Sequence, residues 1–172
     1  MDTFPDQMAE YRKQLEKGII QKAYRGLLEY ILALRNRLQN KYPAYFVSGS
    51  LYTGYMDMTY FAFTPPSLQE RKLKIAIVFN HDAFRFEVWL GGANKKIQQE
   101  TWQRFKESGW DRYPVVASTQ GVDAIVEHVL AEAPDFRDLE ALTGQIERET
   151  LRFIREIEAF LSQPGGEPFR EV

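Results

Sequence analysis

The stretch from Lys72 to Leu90 constrains the fold most, because apolar residues alternate with others on both sides of a turn-forming segment, Asn-His-Asp-Ala at 80–83. A period of two is typical of β-strands, and these four residues suit a tight connection. The pattern predicts an antiparallel hairpin with a four-residue loop over 80–83. One face would then be entirely apolar, with these pairs across the strands: Phe79 with Phe84, Ile77 with Phe86, Ile75 with Val88 and Leu73 with Leu90.

The other face of this hairpin is chemically mixed. It carries Lys74, Ala76 and Val78 on one strand and Arg85, Glu87 and Trp89 on the other. Lys74 would lie diagonally across from Glu87. If a neighbouring strand adds Met56, Met58 and Tyr60, the face becomes an apolar floor with a few charges, as in many small-molecule pockets. Alternatively, helices cover this face and Glu87 pairs with Lys74 or Arg85 for structural reasons.

A chain of 172 residues, 44% hydrophobic and 27% charged, is expected to form one soluble globular domain. The absence of cysteine excludes disulfides, thiolate catalysis and cysteine-based zinc sites. A net charge of −2 gives no overall electrostatic reason to bind nucleic acid or an anionic membrane. Neither a secretory signal pattern nor an apolar run of about 18 residues is present, so a cytoplasmic location is expected.

The remaining elements follow from hydrophobic periodicity and from breaks at Gly and Pro. Strands are predicted at 45–52, 55–63 and 113–117, with the connection at Thr53-Gly54 either a two-residue turn or a bulge. The strand at 55–63 has large apolar groups on both faces, which favours an interior strand covered on each side. Helices are predicted at 6–17, from 19 to before Pro43, from Asn94 to before Gly109, at 122–133 and from Pro134-Asp135 onward.

This order favours the α+β class, with a mainly antiparallel sheet packed against helices. The sheet would be a meander of about four strands plus a short fifth. Residues 1–161 would form the single domain, and the Pro- and Gly-rich residues 162–172 a loose C-terminal tail.

A second candidate site is the segment from Gly91 to Lys96, with the sequence GGANKK. Two lysines, Lys95 and Lys96, in the first turn of a helix oppose its dipole, and a bound anion would offset that cost. Gly92 allows close backbone approach, and Asn94 is the expected N-cap. A phosphate or carboxylate could dock there, although a solvated helix start explains the same residues.

Isolated polar groups offer weaker signals. Asp57, in the middle of an aromatic strand, is either a paired structural group or a functional acid, because burying it unpaired is expensive. His81 lies in the predicted hairpin turn and His128 on a predicted helix with Glu132 four residues on. Two scattered histidines do not make a metal site, so no metal and no cofactor is expected.

Four segments of the chain, LYTGYMDMTYFAFTP, KIAIVFNH, RFEVWL and GGANKKIQ, resemble a family of small bacterial proteins known as a domain of unknown function. The resemblance covers most of the chain. It implies an uncharacterised bacterial, cytoplasmic α+β domain. The family has no assigned chemistry, so it assigns no catalytic or binding residue here.

The leading functional hypothesis is a binding domain for a small anionic ligand or a protein partner. The ligand site would use Asp57, Tyr60, Lys74, Arg85, Glu87 and Trp89, and the anion site Gly92, Asn94, Lys95 and Lys96. One alternative is an enzyme for a phosphorylated or carboxylated substrate, with Asp57 or Glu87 as general acid or base. Another is a nucleic-acid-associated module that stacks bases on its aromatic rings, which the overall charge disfavours.

Overall fold

The computed structural model describes residues 3–164 and shows a five-stranded antiparallel sheet with helices packed against it. The strands follow chain order, β1-β2-β3-β4-β5, each antiparallel to the next. This architecture confirms the predicted α+β class. The elements are α1 Phe4–Glu16, α2 Ile19–Lys41, β1 Phe46–Val47, β2 Met58–Thr64, α3 Pro66–Glu70, β3 Leu73–Asn80, β4 Arg85–Gly92, α4 Lys95–Glu107, β5 Ala124–Ala131 and α5 Leu139–Leu161.

The central hairpin β3–β4 forms, but its register differs from the prediction by two residues. Phe79 lies opposite Phe86, not Phe84, and the loop consists of residues 81–84. Phe84 takes a left-handed backbone with φ 52° and is 61% exposed. Side chains alternate with a period of two, so a shift of two residues leaves all the remaining strand side chains on their predicted faces. Only Phe84 leaves the strand, because it lies in the loop. The apolar face is therefore correct even though each predicted pair is wrong.

The core lies on the apolar face of the sheet, under the two long helices α2 and α5. These helices contribute the apolar stripes expected from their periodicity, including Ile31, Leu34 and Leu38 from α2 and Ile146, Phe153 and Ile157 from α5. Facing them are the fully buried rings of Phe61, Phe79 and Phe86. Burying a ring or a branched aliphatic side chain contributes about 1.5–3 kcal/mol, so this layer supplies most of the driving force.

The opposite face of the sheet, which we call the open face, is not covered as predicted for the 55–63 strand. Met58, Tyr60 and Ala62 of β2 remain partly exposed there, as do Ala76 and Trp89. Val78 on the same face is buried, but the partly exposed groups line a surface rather than a second core.

The prediction of a helix at 122–133 is wrong, because Ala124–Ala131 forms the edge strand β5 beside β4. Apolar residues at 125, 126, 129 and 130 fit a helical stripe, yet the segment is also rich in β-branched residues. Bulges between Phe86 and Glu87 and between Leu90 and Gly91 adjust the pairing. The strand predicted at 113–117 is reduced to a single bridge, from Val115 to Val126 on β5.

The first predicted strand pair is also shorter than expected. Of residues 45–52 only Phe46–Val47 forms β1, and Tyr52 pairs with Tyr60 through an isolated bridge. Residues 53–57 form a loop rather than a two-residue turn, with Gly54 at φ 63° and Met56 at φ 61°.

Helix boundaries follow recognisable end signals. Gly18, at φ 70°, separates α1 from α2 as predicted. The helix α5 begins at Leu139 with Asp138 as its N-cap, four residues later than Pro134-Asp135 suggested. Most of the tail predicted at 162–172 lies outside the described residues, which end at 164.

Candidate functional site

The two candidate sites predicted from sequence meet in one cavity on the open face. The cavity has a volume of about 350 Å³. Tyr60, Lys74 and Trp89 from the first candidate line it together with Gly92, Asn94 and Lys95 from the second. Three antiparallel strands and the start of α4 thus bring Tyr60 and Lys95, which are 35 positions apart in the chain, to one place. The other lining residues are Met58, Ala76, Gly91, Ala93, Gln98 and Asp123.

The floor of the cavity is apolar and aromatic. Tyr60 lies on β2 opposite Val78, and Trp89 lies on β4 opposite Ala76, so the two rings flank β3 and are offset by two residues along it. Trp89 Nε1 donates a hydrogen bond to Glu87 Oε2 at 2.8 Å, and Tyr52 stacks on Tyr60 with ring centroids 4.8 Å apart. Both rings are therefore held in place and present a fixed surface to a ligand.

Two ammonium groups and one carboxylate surround this floor. Lys74 is exposed and makes no ion pair among residues 3–164. Lys95 Nζ donates to Gln98 Oε1 at 3.3 Å, and Asp123 supplies the carboxylate. Lys96 lies outside the cavity, 3.9 Å from Glu100 Oε1 on the same helix. The structure therefore divides the predicted lysine pair between the cavity and the solvent.

The start of α4 is fixed tightly against β4. Asn94 Oδ1 accepts a hydrogen bond from the amide of Ile97 at 2.9 Å, which confirms it as the N-cap. A Cβ on Gly92 would lie only 2.6 Å from the amide nitrogen of Gln98, so glycine is required for this approach. Gln98 is buried and donates to the carbonyl of Val122 at 2.7 Å, which ties the loop before β5 to the helix.

Arg85 and Glu87, also predicted for the site, form a separate polar network further along the open face. Arg85 Nε donates to Glu87 Oε1 at 2.7 Å, and Arg85 Nη1 reaches both oxygens of Glu132 at 3.1 Å. Glu87 is 4% exposed and lies opposite Val78, so the predicted diagonal pair with Lys74 is wrong. These ion pairs raise the pKa of Arg85, mainly through the hydrogen bond to Glu87.

Sequence reasoning missed Glu127, because the segment 122–133 was assigned to a helix. In β5 this residue lies opposite Trp89 and beside the Arg85–Glu87 network. Burial, together with the charge of Glu87, raises the pKa of Glu127 above its ordinary value. The sequence signal for Glu127 is its alternation with apolar residues in 124–131, which places it on the face of Trp89 if the segment is a strand.

Asp57 does not line the cavity. It lies in the loop before β2, where Oδ1 accepts a hydrogen bond from the amide of Tyr55 at 2.9 Å. That bond, with a second from Met58, lowers the pKa of Asp57. Asp57 therefore organises a loop, and it shares no cavity with Glu87.

Each histidine has a partner within the chain. His81 Nε2 lies 2.9 Å from Thr59 Oγ1, and burial lowers the pKa of His81 below its ordinary value of 6.5. His128 Nε2 lies 3.1 Å from Glu149 Oε2, with the ring of Tyr113 at 4.4 Å. Across residues 3–164 no group of three or more metal-ligating side chains comes together.

No helix in the described part of the chain is both long and apolar enough to cross a bilayer. No curated protein and no solved structure matches the chain. One family does match: it is described as Domain of unknown function (DUF7000), and the match extends over residues 4–161, nearly the whole described region. The chain therefore belongs to the DUF7000 family, a domain of unknown function.

Proposed function

We propose that the open-face cavity binds a small ligand that combines a flat ring with an anionic group, such as an aromatic carboxylate or a nucleoside monophosphate. The observation that carries the proposal is that two lysines without an ion pair in residues 3–164 meet two fixed aromatic rings in a single cavity. Its volume of about 350 Å³ is at the small end for ligand pockets. A ligand of one or two rings fits that size.

The electrostatics support an anionic group on the ligand. Lys74 and Lys95 provide two positive charges against the single carboxylate of Asp123. Lys74 has no competing ion pair within residues 3–164, so an incoming anion breaks no existing salt bridge there. The dipole of α4, which begins at Lys95, adds positive potential at the same place.

The aromatic floor supports a flat apolar part. Trp89 is held by its hydrogen bond to Glu87 and Tyr60 by stacking on Tyr52, so little side-chain freedom is lost when a ring packs on them. Asp57 and Glu87, the general acid or base predicted for an enzyme, do not line the cavity, so these two residues support no catalytic role there.

Matched ligand pairs test the proposal, with benzoate compared to benzyl alcohol and a nucleoside monophosphate compared to its nucleoside. Binding is followed by Trp fluorescence and by calorimetry, because Trp89 lies in the cavity and Trp102 and Trp110 do not. We expect the charged member of at least one pair to bind about tenfold or more tightly, the contribution of one charge-assisted hydrogen bond. Added salt should weaken its binding.

Two lysine variants provide the control. Lys74→Gln should weaken binding of the anionic ligand about tenfold. Lys96 follows Lys95 in the chain but does not line the cavity, so Lys96→Gln should leave binding unchanged. Equal binding of charged and neutral members, or equal effects of the two substitutions, would refute the proposal.

A further inference from the structure

A second uncovered surface begins with α1, whose apolar residues lie on one face of the helix. Phe4, Met8, Tyr11 and Leu15 follow one another at steps of four, three and four. No residue of α1 is buried, and Phe4 is 73% exposed. A helix of 13 residues is marginally stable by itself, so an apolar stripe usually stabilises such a helix by packing against something. We call this stripe the α1 ridge.

A groove with a cavity volume of about 600 Å³ runs beside the ridge. Ile20, Tyr24 and Leu27 of α2 form one wall, and Met56, Phe84 and Phe136 from three loops form the other. Its lining includes no Asp, Glu, Lys or Arg. Ile20 and Met56 also line a neighbouring cavity of about 520 Å³ together with Tyr11 and Leu15 of α1, so ridge and groove form one continuous surface. This surface shares no residue with the open-face cavity.

The exposed apolar area on this surface is large. Its four exposed rings alone carry roughly 450 Å², taking about 200 Å² for a whole aromatic side chain. The methionine and aliphatic side chains bring the area to about 700 Å². The largest apolar patch of a typical monomer is about 300–600 Å², whereas a stable interface buries about 800 Å² per partner. The residues concerned are Phe4, Met8, Tyr11, Ile20, Met56, Phe84, Phe136 and Leu139.

We propose that this surface binds a second copy of the chain in a two-fold symmetric dimer, with the α1 ridge of each copy in the groove of the other. A two-fold contact requires a patch that complements itself, and a ridge beside a groove meets this requirement. The uncharged lining suits the apolar centre of a homodimer interface. The exposed area of about 700 Å² approaches the roughly 800 Å² per partner that a stable interface buries.

Sedimentation across concentrations from about 1 µM to about 100 µM tests the dimer. Met8→Glu places a charge on the ridge, and Phe84→Asn removes a ring from the groove. Asn tolerates the left-handed backbone at Phe84, with φ 52°, so that variant should fold. We expect each substitution to raise the dimer dissociation constant about 30-fold or more, with an unchanged circular dichroism spectrum.

Phe46→Ser is the matched control, because Phe46 is 51% exposed on the edge strand β1 and lines neither ridge nor groove. It should leave the dissociation constant unchanged. A chain that stays monomeric throughout, or a dimer that all three variants leave intact, overturns the proposal.

Cross-linking tests the arrangement itself, since the chain contains no cysteine. Met8→Cys in a tagged copy should form a disulfide with Phe84→Cys in an untagged copy, whereas Phe46→Cys in place of Phe84→Cys should not. Failure of the first pair to link overturns the ridge-in-groove contact. A second pair combines Phe84→Cys with a cysteine placed within residues 165–172 of the same chain. If this pair forms a disulfide in a monomer, the groove binds the chain's own C-terminal segment, and the dimer proposal is overturned.

Discussion

Substituting Gly92 by alanine tests how the cavity is built. The new Cβ would lie 2.6 Å from the Gln98 amide nitrogen and 2.9 Å from its Cα. Both are backbone atoms, and non-bonded carbon contacts are comfortable at about 3.5–4.0 Å, so the first turns of α4 must move by about 1 Å. Gln98 is tied to the Val122 carbonyl at 2.7 Å, and this movement strains that bond.

The expected cost is about 2–4 kcal/mol of unfolding free energy. Overpacking of this kind costs about 1–3 kcal/mol, and a weakened hydrogen bond adds about 1 kcal/mol. For a domain of this length the melting temperature should fall by roughly 5–15 °C. Urea and thermal unfolding, followed by circular dichroism, measure both quantities. Displacing the start of α4 should also weaken binding in the cavity, because Lys95 moves with it.

Two other glycines provide graded controls for this substitution. A Cβ on Gly49 meets nothing within 4 Å, so Gly49→Ala should be neutral or slightly stabilising. A Cβ on Gly91 would lie 3.1 Å from the Asp123 carbonyl oxygen, and Gly91→Ala should be intermediate. If the unfolding free energies of Gly92→Ala and Gly49→Ala agree within about 0.5 kcal/mol, the close approach of Gly92 to Gln98 does not control stability.

Three further predictions concern helix propensity and ionisation. Gly144→Ala, inside α5, should stabilise the protein by about 0.5–1 kcal/mol in urea unfolding, since its Cβ meets only the movable end of Arg148; a loss of stability would contradict this. Burial lowers the pKa of His81 despite Asp57 and Asp82, so the folded state binds fewer protons than the unfolded state. Stability should therefore fall as pH drops from about 7.5 through 6.5 and below, and the fall should be smaller in His81→Gln. Burial and the charge of Glu87 raise the pKa of Glu127, so its ionised form costs stability above that pKa. Glu127→Gln should stabilise the protein at pH 7, with the gain disappearing as pH falls to about 4, and an unchanged or lower melting temperature at pH 7 would contradict it.

Features set by neighbouring residues could be predicted from the sequence. Alternation over Lys72–Leu90 predicted the central hairpin and its apolar face, and helical spacing predicted α2 and most of α5. Asn94 and Gly18 acted as end signals for helices, since capping depends on one side chain or one backbone angle. The same local patterns predicted three of the residues that line the cavity, Lys74, Trp89 and Lys95.

Other features depended on which segments meet in space. Val122 to Ala133 carries both a helical stripe and β-branched residues, and the free edge of β4 decided in favour of a strand. The hairpin register depended on Phe84 accepting a left-handed backbone, which alternation alone cannot reveal because a shift of two keeps the same faces.

The candidate site shows the same division. The sequence by itself determined that lysines start α4 and that a ring and a lysine point to the mixed face of the hairpin. Only the tertiary structure decided that these are one site, because the close approach of Gly92 to Gln98 brings α4 beside Lys74 and Trp89. It also placed Glu87 and Asp57 outside the cavity, where Glu87 bonds to Arg85 and Trp89 and Asp57 accepts from the Tyr55 amide. Local patterns place a side chain on a face, and packing between distant segments decides which faces share a cavity.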